Sequence, residues 1–530
     1  MPQRFDSRRA RLKKNIHHLQ IMIFRIRMDT PYREDKEVAA RQSCLLCSNP
    51  MQSAAIEDHN NLDKFVGMGS DQLSRTNPLH GNPALFPCGI RKRPVQNANR
   101  RIVHLLTFIG EIVHVISLIM GTIKTYHTKY KLNLRSHVTM NSLERFNACL
   151  NYQPGIPRPN HELGAWPQAV ERWKQEGAPP ELTGNYFPGC EILGLEPRFF
   201  VPVNFRFSPP FEYEVLEEND EYVIFRRPTG IVSKALKEGA IGNARMSMDQ
   251  FLEFPVKERS DWEALKKRLR VDDPTRYPEN LPQLAEEWKN RDCPWILGQN
   301  VNLAGFFWRA REYLGTERLA YAWYDEPEMM EDMMQYTADF IIGVAAQVLE
   351  YFTPDYICLN EDLAMKSGPL LSPAIFKKFI FPHLKRVCEF LHSRGVKHIA
   401  VDSDGNPELL VPLFLDAGVD ILWPLERASD VNPLEWRRKF GRSLLMWGGV
   451  DKRILPMGRQ AIARHLCEFI PLVEEGGFIP HLDHTFPPDI SWQNMCDYLE
   501  LKRYLLNGDF ARLETESRHS SSPTITVSMK

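Results

Sequence analysis

The chain has 530 residues, enough for one large enzyme domain and an additional segment, and a formal net charge of −1. That balance hides an asymmetry: residues 1–139 carry 22 Lys and Arg against 10 Asp and Glu (+12), and residues 140–530 carry 44 against 57 (−13). Ten cysteines without framework spacing argue against a disulfide scaffold and suit a reducing cytosol, so we expect a cytoplasmic protein.

The first 139 residues form a basic extension with scattered polar residues and little sustained periodicity. A basic arm fits nucleic acid or an anionic membrane, but this composition favours a poorly structured leader, and an over-extended start codon is the other reading. Because the apolar stretch Ile102–Met120 contains Glu111, which is costly inside a bilayer, we expect no membrane span. Because the extension has the composition of a poorly structured leader, we also expect no nucleic-acid partner. Cys44 and Cys47 lack a second ligand pair at zinc-finger spacing, so they predict no zinc site.

A different kind of sequence begins near Met140, where Leu143, Phe146 and Leu150 follow helical spacing. Residues 200–256 are rich in strand-forming residues, with a hairpin around Pro228-Thr229-Gly230. Proline, serine and aspartate at helix starts, and glycine after helix ends, predict these later helices: Asp261–Leu269, Leu281–Trp288, Glu328–Phe352, Pro373–Arg394, Pro407–Ala417, Pro433–Phe440, Arg459–Glu475 and Ile490–Leu506. The tail after Gly508 ends in serines and is predicted to be disordered, as residues 508–530.

Short apolar runs alternate with these helices, and most of them run directly into polar residues. Six such runs are Trp295–Leu297, Tyr356–Leu359, His398–Val401, Ile421–Trp423, Leu444–Trp447 and Phe478–Leu482. Runs of this kind predict parallel strands that are buried on both faces. With two further strands from Ile156–Gly164 and the region 200–227, they predict an α/β fold, a (β/α)₈ TIM barrel over residues 140–507 with a poorly structured N-terminal extension.

The carboxyl ends of parallel barrel strands meet at one rim, where such folds keep their active sites. Glu361 and Asp362 follow one strand, and two adjacent carboxylates can divide acid and base work or cap the next helix. Asp402 and Asp404 follow the next strand and could bind a divalent cation through oxygen atoms, or could simply form a turn. Because the last strand ends in Asp483 and His484, we predict a functional imidazole there.

These patterns predict His484, Asp483, Glu361 and Asp402 as catalytic residues. They predict Asp402, Asp404 and His484 as candidate ligands of a divalent metal ion, although no cofactor is certain. The residues predicted to bind substrate are Gln299, Asn300, Asp362, Lys366, Trp423 and Asp451. The chain has no GxGxxG, no Walker A and no GxSxG sequence, so it gives no support for a nucleotide-binding enzyme or a serine hydrolase.

Four ordered blocks resemble the uroporphyrinogen decarboxylase superfamily: Asn360–Pro373 (NEDLAMKSGPLLSP), Ala400–Asn406 (AVDSDGN), Trp447–Arg453 (WGGVDKR) and Gly477–Pro488 (GFIPHLDHTFPP). The likeness runs from about Met140 to Asn507. The superfamily includes cofactor-free decarboxylases of the haem pathway and zinc-dependent methyltransferases that serve corrinoid proteins. The resemblance thus implies a barrel enzyme that acts on a small molecule, a tetrapyrrole or a methyl donor, and it implies a homodimer.

The chain departs from both branches of that superfamily. The decarboxylases carry an arginine-containing RQAGRY block, whereas residues 161–166 here read HELGAW, and their substrate-gripping aspartate has no counterpart near Phe205–Pro210. Their late histidine falls on His484. The His-x-Cys zinc ligands of the methyltransferases fall on Asp402 and Asp404, which replaces thiolate by carboxylate.

Three functions therefore follow from the resemblance. The first is carboxyl-lyase chemistry that is independent of metal. The second is metal-dependent methyl transfer with a corrinoid protein as partner. The third is a non-catalytic ligand-binding barrel, which is the least economical reading because several rim acids and a histidine are costly to keep together.

Overall fold

The computed structural model describes residues 140–241, 248–298 and 303–518. The predictions made for residues 1–139, including the apolar stretch Ile102–Met120 and the Cys44–Cys47 pair, lie outside these residues. Among the helices of the described part, none has both the length and the apolar character that a membrane crossing requires.

A curled parallel β-sheet forms the centre of this α/β fold. In spatial order its main path consists of β1 (Phe199–Val201), β6 (Trp295–Leu297), β8 (Tyr356–Asn360), β11 (His398–Asp402), β12 (Ile421–Trp423), β13 (Leu445–Val450) and β14 (Phe478–Leu482). A two-residue strand, β7 (Leu303–Ala304), pairs in parallel with β8. Two further short strands, β9 (Ala364–Met365) and β10 (Gly368–Pro369), pair with each other in antiparallel fashion after β8. The six predicted apolar runs are all strands of the parallel sheet, so the parallel α/β prediction is confirmed for seven neighbouring strands.

The eighth strand of the predicted barrel does not appear as a ladder among the described residues. Instead, residues 160–166 run between the two ends of the sheet and hydrogen-bond on both sides. Glu196 N–H donates to the Asn160 carbonyl at 2.9 Å, just before β1, and Phe486 N–H donates to the Gly164 carbonyl at 2.8 Å, just after β14. The described sheet is therefore a curled half-barrel whose open side is lined by this segment.

Alternation along each strand sends side chains to two separate apolar clusters. On β8, Tyr356 and Cys358 belong to an inner cluster, whereas Ile357 and Leu359 pack with the surrounding helices. The inner cluster is completed by residues of the other strands and of the first helix: Phe146, Cys149, Leu150, Leu163, Ile296, Ala400, Ile421, Trp423, Leu445, Trp447 and Ile479. The inside of the curl is thus filled by side chains and does not form a channel.

Helices surround the sheet, and the first of them contributes Phe146, Cys149 and Leu150 to the inner cluster. They are α1 (Ser142–Leu150), α2 (Pro167–Gln175), α3 (Arg259–Lys266), α4 (Leu281–Lys289), α5 (Phe306–Leu314), α6 (Thr316–Asp325), α7 (Pro327–Leu349), α8 (Pro373–Ile375), α9 (Phe381–Ser393), α10 (Val411–Ala417), α11 (Pro433–Phe440), α12 (Arg459–Cys467), α13 (Ile470–Glu475), α14 (Trp492–Leu506) and α15 (Phe510–Arg518). Helix α11 has the predicted bounds because Asn432 caps it, proline occupies its first position and Gly441 follows it. The predicted helix Arg459–Glu475 is instead two helices, separated before Pro471.

A four-stranded antiparallel sheet lies between β1 and β6 in the sequence. It consists of β2 (Glu214–Glu218), β3 (Tyr222–Arg226), β4 (Val232–Leu236) and β5 (Gln250–Glu253), in that order. The hairpin predicted around Pro228-Thr229-Gly230 is present between β3 and β4. The barrel strand predicted from the region 200–227 is a short one at its start, where Phe199–Val201 pairs with β6.

The predicted disordered tail is wrong for residues 510–518, which form helix α15. Leu513 is fully buried, and Arg459 on α12 pairs with Glu516 at 2.9 Å. These two contacts offset the conformational entropy that is lost when the end of the chain becomes ordered. The polar composition of the tail gives no sign of this stabilisation.

A buried ion pair joins the segment at the open side of the sheet to α14. Lys502 Nζ lies 2.6 Å from Glu162 Oε1, and both side chains are fully buried. Glu162 also accepts hydrogen bonds from the Tyr498 hydroxyl and from Leu482 N–H. Lys502, Tyr498 and Leu482 N–H together compensate the negative charge of the buried Glu162 carboxylate. Since these partners belong to α14 and β14, Glu162 holds the extended segment against both elements.

Candidate active site at the carboxyl end of the sheet

Two predicted site residues that are distant in the sequence meet beyond the carboxyl ends of β11 and β14. His484 Nε2 lies 3.8 Å from Asp404 Oδ2, and the two side chains are 36% and 43% exposed. Both are therefore open to a ligand while remaining within the range of an ion pair. This pairing places one titratable acid beside one titratable base.

The proton on a neutral His484 is fixed by its neighbours. Thr485 N–H donates to Nδ1 at 2.8 Å, and the Thr485 hydroxyl lies 2.9 Å from the same atom. Trp166 Nε1–H donates to that hydroxyl oxygen at 2.9 Å and so holds the Thr485 side chain beside the imidazole. Nδ1 is thus an acceptor, and the proton resides on Nε2, facing Asp404.

The surroundings of this pair bring both groups towards their neutral forms. Burial at the rim and the negative charges of Glu426 and Asp362 raise the pKa of Asp404 to about 7. Burial and the nearby Lys452 ammonium lower the pKa of His484. Asp404 can therefore hold a proton at neutral pH, a condition for a general acid.

Asp483 supports the rim and does not face the reacting space. Its carboxylate accepts hydrogen bonds from Arg427 N–H at 3.0 Å and from Lys452 N–H at 3.1 Å, and the residue is almost fully buried. Burial raises the pKa of Asp483. The predicted catalytic residue therefore ties together the loops that follow β12 and β13, as a positioning residue.

Glu426 is a site residue that the sequence prediction missed. Its carboxylate accepts Gly405 N–H at 2.9 Å, and it lies 3.8 Å from Lys452 Nζ. Gly405 has a φ of +78°, and a Cβ atom there would lie 2.5 Å from the Ala364 carbonyl oxygen. The loop that carries Asp404 is thus held between two neighbouring loops. The sequence contained one signal for Glu426, because this residue follows the end of β12 by three positions. Pro424 and Leu425 lie between them and obscured that signal.

Asp402 and Trp423 line the inner surface just below this rim. Asp402 pairs with Asn360 and Trp423 in register, and Asn360 Nδ2 donates to Asp402 Oδ2 at 3.4 Å. Trp423 Nε1 donates to Cys358 Sγ, and its ring meets the His481 ring edge-on at 6.4 Å. Burial lowers the pKa of His481 to about 3, so this imidazole is neutral. These side chains form the floor beneath the Asp404–His484 pair.

The predicted catalytic role of Glu361 is not supported by its position. Strand alternation turns its side chain outward from β8, where it accepts the N–H groups of Phe306 at 3.0 Å and Phe307 at 2.7 Å. It is fully buried beneath the start of α5 and caps that helix. Burial raises the pKa of Glu361 to about 7.

The remaining predicted substrate residues are dispersed. Asp362 binds Arg311 at 2.7 Å and is close enough to affect the charge of Asp404. Lys366 is exposed and lies 3.7 Å from Asp430. Asp451 forms a 2.7 Å ion pair with Arg453 and accepts its N–H. The last two predicted substrate residues, Gln299 and Asn300, lie outside the described residues.

The predicted metal ligands do not form a metal site in the part of the chain that the structure describes. No group of three or more His, Cys, Asp or Glu residues there has a metal-binding arrangement. Asp402 accepts a hydrogen bond from Asn360, and His484 Nδ1 accepts one from Thr485. The metal set Asp402, Asp404 and His484 therefore stays a prediction, with no preformed metal-binding arrangement among the described residues.

Residues 302–503 match the family model described as "Uroporphyrinogen decarboxylase (URO-D)". The match covers 202 of the 530 residues and contains the four blocks on which the resemblance was based, so the resemblance is confirmed. It also contains Asp404, Glu426 and His484. The extension of the likeness back to Met140 lies outside the matched region.

The solved structures that are similar to the chain include the following two. One is a methyltransferase from Methanosarcina mazei, with 14% identity, coverage of 70% of this chain and 100% of that chain, and a TM-score of 0.45. The other is a B12-independent methionine synthase from Shewanella sp. W3-18-1 in complex with selenomethionine, with 12% identity, coverage of 59% and 76%, and a TM-score of 0.30. Because both scores are below 0.5, we draw nothing from these likenesses. No curated protein matches the chain.

Proposed function

We propose that the chain is an enzyme of the URO-D superfamily that decarboxylates a small organic acid, with Asp404 and His484 as its proton-transferring pair. One observation carries the proposal. At the carboxyl ends of the strands, a carboxyl group whose pKa is raised to about 7 lies 3.8 Å from a neutral imidazole. A carboxyl lyase needs a proton donor of this kind at neutral pH.

The reaction balances with the groups of this pair. The bond between the substrate carbon and its carboxylate breaks, CO₂ leaves, and the electron pair remains on the carbon. Asp404 or the Nε2–H of His484 donates the proton that completes the new C–H bond, and the donor regains a proton from water. Trp166 and Thr485 fix the orientation of His484 during this transfer.

We infer that the curled half-barrel closes into a full barrel. We infer that residues 160–166 take the eighth strand position, because they hydrogen-bond beside β1 and beside β14. The inferred compartment is the reducing cytosol, since the seven cysteines among the described residues are all free thiols.

The test uses the full chain and carboxyl-labelled acids, namely uroporphyrinogen and a set of single-ring aromatic acids, with release of labelled CO₂ as the readout. Asp404→Asn and His484→Gln should each lower the rate by about a hundredfold or more. Lys289→Gln is the control, because this exposed lysine at the end of α4 lies outside the candidate site. Unchanged CO₂ release in both variants would remove the pair from the mechanism.

The alternative of metal-dependent methyl transfer is separated by a second measurement on the same protein. We expect CO₂ release to be unchanged by a chelator, because the three predicted ligands do not form a metal-binding arrangement. Methyl transfer to a reduced corrinoid that is lost on chelation, without CO₂ release from any acid, would replace decarboxylation as the function.

A further inference from the structure

A cavity of about 160 Å³ lies beyond the ends of β1, β7 and β8, next to helix α5. It is separate from the Asp404–His484 pair in its lining residues, although Asn360 borders both the cavity and Asp402. Among the described residues, none that the sequence predicted to bind substrate lines it. The cavity is therefore a second candidate binding site.

The volume limits what the cavity can hold. Pockets for drug-sized ligands start at about 300 Å³, whereas an apolar cavity of about 150 Å³ holds one benzene molecule. At about 160 Å³, this cavity fits one six-membered or five-membered ring with a small substituent. A whole tetrapyrrole is several times larger than this space.

Aromatic side chains make up much of its wall. Phe205, Phe207, Trp308 and Tyr313 line the space, and the Phe207 and Tyr313 rings stack at 5.6 Å with an interplanar angle of 27°. Flat aromatic walls favour a flat ligand, because offset stacking and edge contacts both need ring surfaces. The wall thus selects a planar apolar body.

The charged lining residues leave an excess of positive charge. They are Arg206, Arg309 and Glu312, so the formal sum is +2 − 1 = +1. The Arg309 guanidinium is almost fully buried and donates to neutral oxygens, at 2.9 Å to the Ala304 carbonyl and 2.8 Å to the Phe205 carbonyl. Burial raises the pKa of Glu312, and the positive charges of Arg206 and Arg309 oppose this shift. A single carboxylate on the ligand would neutralise the positive excess.

Two buried polar atoms of the lining lack a hydrogen-bond partner among the described residues, Asn360 Oδ1 and Thr229 Oγ1. The Asn360 amide nitrogen already donates to Asp402, so the oxygen is the atom left to accept. An unpaired buried acceptor costs about 1–3 kcal/mol, which a bound donor group would recover. The ligand should therefore carry an O–H or N–H group on its ring.

We propose that this cavity binds a single-ring carboxylic acid, with its ring between the aromatic walls, its carboxylate at Arg206 and Arg309, and a ring O–H or N–H group donating to Asn360 or Thr229. The inference concerns binding alone. It does not depend on the decarboxylation proposed above, and the two can fail separately.

The test measures binding of para-hydroxybenzoate to the full chain by titration calorimetry, beside its neutral analogue para-hydroxybenzyl alcohol and beside benzoate. We expect the hydroxy acid to bind most tightly, with each analogue weaker by about tenfold, which corresponds to about 1.4 kcal/mol. Arg206→Gln should weaken the acid by about tenfold and leave the alcohol unchanged, and Thr229→Val should reduce the difference between hydroxybenzoate and benzoate.

Two variants serve as controls. Arg270→Gln changes an exposed arginine outside the cavity and should leave affinity unchanged. His484→Gln should also leave it unchanged, which separates this site from the proposed reaction. Equal binding of the acid and the alcohol, no binding of either, or an unchanged affinity in a folded Arg206→Gln protein would overturn the proposal.

Discussion

The Nε2 atom of His484 faces Asp404 Oδ2 at 3.8 Å across the mouth of the curled sheet. The two residues are separated by 80 positions in the chain, and each follows a different strand of one parallel sheet. Their proximity is therefore a direct consequence of the parallel topology, which collects the ends of all its strands at one side. It gives the proposed mechanism a defined pH response.

Above neutral pH, we expect the decarboxylation rate to fall as Asp404 loses its proton. Because the pKa of Asp404 is raised to about 7, the protonated acid is abundant below pH 7 and declines about tenfold per pH unit above it. The measurement is kcat/KM for labelled CO₂ release across this range. In Asp404→Asn the residual rate should lose this alkaline limb, and a limb that persists unchanged would assign the titration to another group.

The cap that Glu361 forms at the start of α5 should contribute several kcal/mol to the free energy of unfolding. Glu361→Ala leaves the N–H groups of Phe306 and Phe307 buried without an acceptor, at about 1–3 kcal/mol each. We expect a loss of about 3 kcal/mol in the free energy of unfolding, measured in urea. Glu361→Gln, which keeps one acceptor oxygen, should lose less and retain enzymatic activity, and loss of activity in a stable Glu361→Gln protein would restore a catalytic role.

The same carboxyl group should make stability depend on pH. Its pKa is raised from 4.5 in the usual case to about 7 in the folded protein, so the fold binds this proton more tightly than the unfolded chain does. The free energy of unfolding should therefore fall as pH rises from about 4.5 to about 7. Glu361→Gln should make this slope shallower, and a slope identical to that of the unaltered protein would contradict the assignment.

Removing one partner of the buried Glu162–Lys502 pair should be strongly destabilising. Lys502→Met leaves a buried carboxylate without its cation, and we expect a cost of about 3–5 kcal/mol in urea denaturation. The double variant with Glu162→Gln should recover part of this loss, since no buried charge remains. Lys289→Met, which removes a surface pair with Glu286, should change little. Additive losses in the double variant would mean that the two side chains do not stabilise one another.

The last helix should contribute to the stability of the domain. Leu513 is fully buried, so Leu513→Ala should cost about 2–5 kcal/mol and lower the melting temperature. Leu409→Ala, at a side chain that is 65% exposed, is the size-matched control and should have a small effect. Equal melting temperatures for the two variants would show that α15 is not part of the cooperative unit.

Strand positions were predictable because buried parallel strands leave continuous apolar runs, as in Tyr356–Leu359. The direction in which the polar side chain at each strand end points was not predictable from the sequence. Asn360 and Glu361 are adjacent, yet alternation turns Asn360 inward and Glu361 outward. Because the strand is apolar on both faces, its sequence does not reveal which face is the inner one. The helices α5 and α6 were missed because aromatic residues crowd this region and obscure the helical spacing. The cavity was missed since its lining comes from four separate segments of the chain.

The close packing around Gly405 allows the geometry of the rim to be changed without changing its ionisable groups. A side chain at this position would overlap the Ala364 carbonyl, so the loop must shift to accept one. Gly405→Ala would displace Asp404 relative to His484 while leaving every ionisable group of the rim in place. The distance between the proposed acid and the proposed base therefore depends on a residue that has no functional group of its own.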